Sequence, residues 1–487
     1  MPKTPDFLKL DAGAAEPLYR QIYARFRGAI AEGLLAPEAR IPSARALALE
    51  LGLARGTVEA AYSLLAAEGY VETRGQAGTV VTPALARHAA TASAAAPSAT
   101  HPRTAKASDT SAPFSEIISL NRPFQLGLPA LDAFPRKVWA RLAARSVRAM
   151  QADHMVYPPF AGHAPLRAAI ATYLQLARGI DCSPSQVFIT SGYRNTLELI
   201  ARALLRPGDG VWVEDPGYAP TSDLLRQAGM TLAPVAVDAD GLVVSHGVAT
   251  APRARAAIVT PAHQSPLCVS LSLPRRLALL DWAAQAGAWI VEDDYDGEYR
   301  YVSRPLPALK SLDRHDRVLY AGSFSKVLYP GLALGYVVVP ESLVAAFGEA
   351  AQTGSNGCPQ ITQATVADFM REGCFSRHLK KMRLLYARRR AMLVAAMLKA
   401  FGDGVRIDLT SGGMHLIARF DGRRESDTEL ALRAQRAGLN CQPLSARGTA
   451  SFRDEGLLMG FTNVGSAAHA QQLATKLRTA LALGSGR

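Results

Sequence analysis

Cysteine is scarce in this 487-residue chain, and its five thiols are scattered without a Cys-x-x-Cys pair. An odd number of dispersed cysteines argues against a disulfide framework or a cysteine-based zinc site and favours a reduced compartment. The chain also lacks an uncharged apolar run of the roughly 18–20 residues that a membrane helix needs. Its first residues, MPKTPDFLKL, contain no apolar stretch typical of a signal peptide. We therefore expect a cytoplasmic protein without a membrane span.

Acidic residues are outnumbered, because 54 Lys and Arg face 41 Asp and Glu and leave a net charge of +13. A basic surplus of this size is compatible with nucleic-acid binding. It is not concentrated at the N-terminus, where residues 1–87 contain ten Lys and Arg against nine Asp and Glu. A DNA-binding surface must therefore be inferred from the positions of particular residues rather than from total charge.

Large apolar side chains are almost absent from residues 83–113, which consist mainly of Ala, Ser, Thr and Pro. Such a segment cannot bury enough surface to offset the entropy lost on ordering, so we interpret it as a flexible linker. It divides the chain into a small domain, 1–82, and a large domain, 114–487. The overall length fits two or three folded units.

The small domain shows three helical patterns followed by two short strand-like runs. In PLYRQIYARFRGAIAEG, apolar residues recur at helical spacing at Leu18, Ile22, Phe26 and Ile30. Ser43 is a candidate N-cap of a second helix that ends at Gly52. A third helix begins at Arg55 and buries Val58, Ala61, Tyr62 and Leu65. The run YVETRGQAGTVVT then predicts a hairpin, which completes a winged helix-turn-helix.

The N-terminal pattern resembles the GntR family of bacterial regulators in PLYRQI, RIPSARALA, ARGTVEAAYSLLAAEGY and RGQAGT. The resemblance implies that Arg45 contacts phosphate and base edges, and that Arg55 and Thr57 open the recognition helix over the major groove. It also implies that Gly78 lets the wing approach DNA closely. One departure is Ala54, where the family usually has a capping Ser or Thr.

In the large domain, short apolar runs alternate with helical patterns, which predicts an α/β fold with a mainly parallel sheet. The runs are QVFITSG, DGVWVEDPGY, RAAIVTPAHQ, GAWIVEDDYD, RVLYAGSFSK and LALGYVVVP. Each run ends in polar or glycine residues, and open α/β sheets bind ligands at such strand ends.

Lys326, in the motif SFSK, is accompanied in the sequence by residues suited to binding a flat ring and a phosphate. Asp293 could keep a pyridine nitrogen protonated, Tyr295 could reach a ring oxygen, and Tyr218 could stack on a flat ring. A helix that opens after the strand ending in ITSG could hold a phosphate at its free N–H groups. The residues predicted to line this phosphate site are Ser191, Gly192, Tyr193, Arg194, Ser323 and Ser325.

This ordered set resembles the fold-type-I aminotransferases, which use pyridoxal 5′-phosphate, and the resemblance covers most of 114–475. It implies that Lys326 holds the aldehyde of the cofactor, which requires the neutral amine and a pocket that lowers the lysine pKa. It also implies a homodimer, because Tyr157 would reach the phosphate bound by the partner subunit. A GntR-type winged helix joined to an aminotransferase-like domain resembles the MocR family of transcriptional regulators.

Three departures from the aminotransferase pattern bear on whether the chain is an enzyme. Ala333 replaces an arginine that binds the cofactor phosphate, and we hypothesise that Arg194 partly restores the missing charge. Ser265 replaces the asparagine at the ring oxygen, and Cys268 replaces a glycine. Leu458 replaces the arginine that grips the amino-acid carboxylate, so efficient transamination of ordinary amino acids is not expected.

Three functions remain open from the sequence. The leading one is a dimeric transcription factor that binds a double-stranded DNA operator, holds pyridoxal phosphate on Lys326 and responds to an amine, an amino acid or the cofactor itself. The second is a working aminotransferase with an appended DNA-binding arm. The third is a regulator whose cofactor site has decayed, so that Lys326 is structural.

Overall fold

The computed structural model describes residues 8, 10–11, 16–74, 78–82, 122–301, 307–354, 357–408, 410–422 and 425–482. Contacts group the chain into two compact units, a small N-terminal one and a large one that holds nearly all described residues from 122 onward. The predicted linker and the turn of the predicted hairpin, 75–77, lie outside the described residues. The boundaries 1–82, 83–113 and 114–487 therefore stay predictions.

The small unit is a winged helix-turn-helix, as the sequence predicts. Its helices are α1 (Leu18–Ala31), α2 (Ala44–Leu51) and α3 (Arg55–Ala67), and its strands are β1 (Val71–Thr73) and β2 (Thr79–Val81). The strands pair antiparallel. Phe26 of α1 packs edge-to-face on Tyr62 of α3, with ring centroids 5.6 Å apart. The predicted inner face of α3 is confirmed, since Val58, Ala61, Tyr62 and Leu65 are all buried.

The ends of α2 and the start of α3 show why the turn between them forms. The Ser43 hydroxyl accepts the Ala46 N–H at 3.2 Å, which confirms the predicted N-cap. Gly52 ends α2 in the left-handed region, with φ +64°, where glycine has no steric cost. Ala54 occupies the N-cap of α3 and makes no side-chain capping bond. The first turn of α3 therefore forms without a side-chain cap.

The large unit is built on an eight-stranded mixed sheet with the order β3-β10-β9-β8-β7-β4-β5-β6. Its strands are β3 (Val187–Thr190), β4 (Gly210–Asp215), β5 (Thr231–Asp238), β6 (Gly241–Leu242), β7 (Ala256–Val259), β8 (Trp289–Asp294), β9 (Val318–Ser323) and β10 (Gly335–Val338). Strands β9, β8, β7, β4 and β5 run parallel, whereas β10 runs antiparallel to β9 and β3. All six predicted runs form strands.

A second, antiparallel sheet follows in the C-terminal third, and the sequence did not predict it. Its order is β11-β12-β14-β13, from β11 (Val405–Asp408), β12 (His415–Phe420), β13 (Gln442–Pro443) and β14 (Leu457–Gly460). The helices of the large unit are α4 (Arg136–Arg148), α5 (Ala164–Arg178), α6 (Tyr193–Leu204), α7 (Ala219–Gln227), α8 (Val244–Thr250), α9 (Leu273–Ala286), α10 (Val344–Thr353), α11 (Gln360–Arg371), α12 (Cys374–Phe401), α13 (Asp427–Arg436) and α14 (Ala467–Ala482). None of the helices that the structure describes combines the length and hydropathy of a bilayer span.

Replacing Ala54 with Ser should stabilise the start of α3 by about 1 kcal/mol, because a hydroxyl at the N-cap satisfies a free helix N–H. Hydrogen exchange of the first-turn amides of α3 in the full chain should slow about fivefold. As the matched control, Ser43→Ala should speed exchange at the start of α2. Equal exchange in wild type and Ala54→Ser would show that the first turn is not limited by its missing cap.

Candidate functional site

The site lies where neighbouring parallel strands end. In the pairing of β8 with β9, Asp293 stands opposite Ala321, and the chain leaves β9 at Ser323, three residues before Lys326. The carboxyl ends of parallel strands meet at one edge of a sheet, where open α/β folds bind ligands. The strand order therefore brings the predicted lysine and the predicted acid to the same edge.

The ammonium group of Lys326 is enclosed by the protein. Its Nζ donates to the carbonyl oxygen of Gly127 at 3.0 Å. Gly127 has φ +67°, which favours glycine, and a Cβ there would lie only 2.4 Å from Nζ, so a larger residue would displace the end of the lysine side chain. Burial lowers the pKa of Lys326, although the carboxylates of Asp296 and Asp293 oppose that shift. The environment therefore lowers the pKa of Lys326, which is the direction of shift that the sequence predicts.

Two adjacent acids of β8 differ in their charge compensation. Asp294 pairs with buried Arg178 at 2.8 Å and accepts the Tyr320 hydroxyl at 2.6 Å. Asp293 is also buried but forms no ion pair within the described part of the chain, and burial raises its pKa to about 8 against an opposing hydrogen bond from Tyr193. A buried acid without a cation is unfavourable. The protonated nitrogen of a pyridine ring would supply the missing charge, so Asp293 fits pyridoxal phosphate.

Tyr295 and Ser265, the two residues predicted to contact one ring oxygen, lie within hydrogen-bonding reach of each other. Their contact with a ring oxygen stays a prediction. The Tyr295 hydroxyl lies 3.1 Å from Nδ1 of His263. Burial raises the pKa of Tyr295, and a hydrogen bond with Ser265 partly opposes that shift. His263 Nδ1 also lies 3.2 Å from a carboxylate oxygen of Asp296. His263 therefore fixes the position of the Tyr295 hydroxyl from the protein interior. Sequence reasoning missed His263 and Asp296, although both lie in quoted strand-end motifs.

Cys268 belongs to a buried cluster that the sequence analysis did not predict. Its Sγ lies 3.1 Å from Nε2 of His415, 147 residues further along the chain. Burial alone would raise the pKa of the thiol, but His415 and His263 outweigh it and lower the pKa to about 6. Cys268 also has φ +61°, a left-handed conformation that favours glycine. The departure at this position therefore places a buried thiol with a lowered pKa next to His415.

The predicted phosphate site begins a regular helix. Helix α6 starts after Gly192, whose φ of +89° is readily adopted by glycine. The Ser191 N–H donates to Oδ1 of Asn195 at 3.0 Å, and its hydroxyl lies 3.3 Å from Sγ of Cys358. Residue 333 borders this turn, because a Cβ on Gly192 would lie 3.9 Å from the carbonyl carbon of Ala333. Ser323 and Ser325 meet in a local turn, where the Ser325 N–H donates to Oγ of Ser323 at 3.2 Å.

Tyr218 stands at the mouth of the site. Its ring centroid lies 6.2 Å from that of Tyr193, and burial together with Asp293 raises its pKa, while Arg447 and Arg194 lower it. Arg194 thus acts electrostatically on Tyr218, and its hypothesised role at the phosphate stays a prediction. Tyr157 lies in an exposed apolar segment and is 82% exposed. Its predicted contact with the phosphate of a partner subunit stays a prediction.

The predicted DNA-contacting residues lie at the starts of α2 and α3 and in the wing. Arg45 and Arg55 are exposed, and Arg55 pairs with Glu59 one turn along at 2.7 Å. The Thr57 N–H donates to the carbonyl oxygen of Ala54 at 3.0 Å. Gly78 has φ +81°, and a Cβ there would lie 3.1 Å from Nε of Arg40. Their DNA contacts stay predictions.

Removing the unpaired charge should stabilise the protein without cofactor. With a folded-state pKa of about 8 and an ordinary value near 3.8, Asp293 binds a proton in the folded state that the unfolded chain releases. Its contribution to stability therefore falls as pH rises from the ordinary value to the folded value. We expect the melting temperature of Asp293→Asn to exceed that of wild type by a margin that grows over this range.

The matched control is Asp294→Asn, which leaves buried Arg178 without its nearest partner and should lower the melting temperature at every pH. If the melting temperatures of wild type and Asp293→Asn changed equally with pH, the charge of Asp293 would have to be balanced by another group in the folded protein.

Comparisons with known proteins agree with the two units. Residues 18–81 match the family described as "Bacterial regulatory proteins, gntR family", and residues 126–457 match "Aminotransferase class I and II". The chain is 38% identical to the probable rhizopine catabolism regulatory protein MocR of Rhizobium meliloti, over 94% of this chain and 92% of that protein. It is 32% identical to the pyridoxine biosynthesis transcriptional regulator PdxR of Corynebacterium glutamicum, over 91% of each.

The fold of the large unit also has solved relatives. The α-aminoadipate aminotransferase LysN of Thermus thermophilus, complexed with N-(5′-phosphopyridoxyl)-L-leucine, matches with a TM-score of 0.66 and 27% identity, over 74% of this chain and 91% of that chain. A winged helix of the GntR type followed by an aminotransferase domain, together with extended identity to a MocR regulator, leads to one conclusion. The chain belongs to the MocR family of transcriptional regulators.

Proposed function

We propose that this regulator holds pyridoxal phosphate on Lys326 and alters its DNA binding when an amine, an amino acid or the cofactor itself occupies the large unit. The observation that carries the proposal is the uncompensated acid Asp293 at the same sheet edge as a lysine with a lowered pKa. The names of two relatives, a rhizopine catabolism regulator and a pyridoxine biosynthesis regulator, support a regulatory role.

Each predicted site residue has a distinct task in this proposal. Pyridoxal phosphate, when bound, supplies an aldehyde carbon that condenses with amines. Asp293 would accept a hydrogen bond from the protonated ring nitrogen, Tyr295 and Ser265 would donate to the ring oxygen, and Tyr218 would cover the ring face. The N-terminus of α6 and nearby side chains would hold the phosphate, at Ser191, Gly192, Tyr193, Arg194, Ser323 and Ser325.

The replaced residues favour a sensor over an efficient enzyme. Leu458 packs with buried Ile417 and Leu444, so its surroundings are apolar. A carboxylate brought there would lose its hydration without gaining a cation. Ala333 removes a charge from the border of the phosphate turn, which would cost about 1.5–3 kcal/mol of cofactor binding if nothing replaced it.

Two alternatives have specific support. A working aminotransferase is favoured by the intact arrangement of Lys326, Asp293 and Tyr295 at the sheet edge. A site that no longer binds the cofactor is favoured by Ala333, Ser265 and Cys268 together. The protein would act as a homodimer in the cytoplasm, with Tyr157 contributed to the partner's phosphate site and two winged helices available to a double-stranded operator.

Lys326→Ala should abolish covalent cofactor binding. Wild type incubated with pyridoxal phosphate should show absorbance near the visible edge, and borohydride reduction should add the cofactor mass to the peptide containing Lys326; the variant should show neither. Rapid conversion of the bound aldehyde to its amine form with a panel of amines would instead favour the enzyme. A wild-type protein that stays colourless with added cofactor would favour the decayed site.

Arg45→Ala and Arg55→Ala should each weaken binding to a duplex from the region upstream of the neighbouring operon by about 1–3 kcal/mol. Fluorescence anisotropy at several salt concentrations should show a steep dependence, with a slope that falls by about one for each lost phosphate contact. Arg371→Ala, an exposed arginine on α11, serves as the control and should change neither. Unaltered binding by both α2 and α3 variants would place the DNA-binding surface elsewhere.

A further inference from the structure

Cys268, His263 and His415 form a buried cluster beside Tyr295. The Sγ atom of Cys268 lies 3.1 Å from Nε2 of His415. The two histidine rings lie near each other, with centroids 6.1 Å apart and an angle of 67° between their planes. Nδ1 of His263 lies 3.1 Å from the Tyr295 hydroxyl, so the cluster is joined to the predicted ring site.

The hydrogen bonds of His415 favour a thiolate at Cys268. Nε2 of His415 lies 3.0 Å from the carbonyl oxygen of Pro266, which can only accept, so this nitrogen carries a proton. The sulfur faces the same N–H at 3.1 Å and is therefore placed to accept from it. The alternative bond, from the thiol to the Pro266 carbonyl, is longer at 3.5 Å. A donor directed at sulfur stabilises the anion, which is the nucleophilic form of cysteine.

His263 contributes a second donor, and this one has no acceptor. Its Nδ1 atom lies 3.2 Å from a carboxylate oxygen of Asp296. Burial alone would lower the pKa of His263, but Asp296 and then Cys268 outweigh burial and raise the pKa, which favours the imidazolium. The Nε2 atom then carries a proton as well, and it has no hydrogen-bond partner among the residues that the structure describes. A buried donor without an acceptor is unfavourable, so an oxygen atom brought into the cluster would be stabilised.

The position of His263 depends on a glycine two residues before His415. A Cβ on Gly413 would lie 2.1 Å from Cε1 and 2.4 Å from Nε2 of His263, so any larger residue would push the ring away. A metal ion is not the indicated ligand, because the described part of the chain contains no group of three or more His, Cys, Asp or Glu arranged to hold one. The cluster instead combines a nucleophilic sulfur with a proton donor.

We propose that Cys268 is a thiol modification site, which hydrogen peroxide oxidises to a sulfenic acid. The thiolate attacks one peroxide oxygen, so that an S–O bond forms and the O–O bond breaks. The leaving hydroxide takes the proton from Nε2 of His263 and departs as water, and sulfur loses the two electrons that the peroxide gains. Hydrogen peroxide is only slightly larger than water, which suits a buried thiol. The inference goes beyond the proposed function, because no step involves the cofactor.

Peptide mass spectrometry of the full-length protein can identify the thiol that reacts. Wild type is treated briefly with hydrogen peroxide and then unfolded in denaturant that contains dimedone, which traps sulfenic acids. Cys182 is the internal control, because it is more exposed than Cys268 but burial raises its pKa to about 11. Cys268 should be trapped about tenfold faster than Cys182 at pH 7, since its thiolate is far more abundant. Faster trapping of Cys182, or no adduct at Cys268, would overturn the inference.

The pH dependence and two variants test the roles of the histidines. The rate of peroxide oxidation at Cys268 should rise as pH increases through about 6 and then level off, because the thiolate reacts. His415→Gln should move this midpoint to higher pH. His263→Gln removes the proton donor and should lower the plateau rate by about 100-fold. Alkylation of Cys268 by iodoacetamide releases iodide, which needs no proton, so its plateau rate should be the same in His263→Gln and wild type.

Three results would contradict these roles. They are a wild-type rate that does not change with pH, a peroxide rate in His263→Gln equal to that of wild type, and equal falls of the peroxide and iodoacetamide rates in that variant. The wild-type pH profile and the comparison with Cys182 need no substitution, so they test the inference even if a variant does not fold.

Discussion

A buried carboxylate without a cation is the constraint on which this site depends. Asp293 and Asp294 follow each other on one strand, and only Asp294 receives an arginine from the protein itself. Strand alternation sends the two side chains to opposite faces of the sheet, so Arg178 cannot compensate both. The pairing with β9 places Ala321 opposite Asp293, and Lys326 follows three residues after the end of β9. The protein therefore folds with a buried acid that no cation of the described residues pairs with, close in the chain order of the sheet edge to its buried lysine.

The residues around Asp293 form two groups: those that would bind the cofactor and those that would position an amino-acid substrate. Tyr295, held from behind by His263, and the helix that opens after Gly192 are suited to holding. The position predicted to grip the carboxylate of an ordinary amino acid is the apolar Leu458, and the turn that carries Ser265 contains Cys268, a thiol that lies 3.1 Å from His415 Nε2.

The sequence predicts the parts of this fold that are decided locally. The cap at Ser43, the buried face of α3 and six strands of the central sheet follow from side-chain type and period, and residues at strand ends mark the site. Period does not reveal direction, so β10 could not be recognised as antiparallel. Sequence periodicity also does not reveal contacts between distant segments, such as the Cys268–His415 bond, whose residues are 147 positions apart. The strands of the second sheet are too short to show a clear alternating pattern.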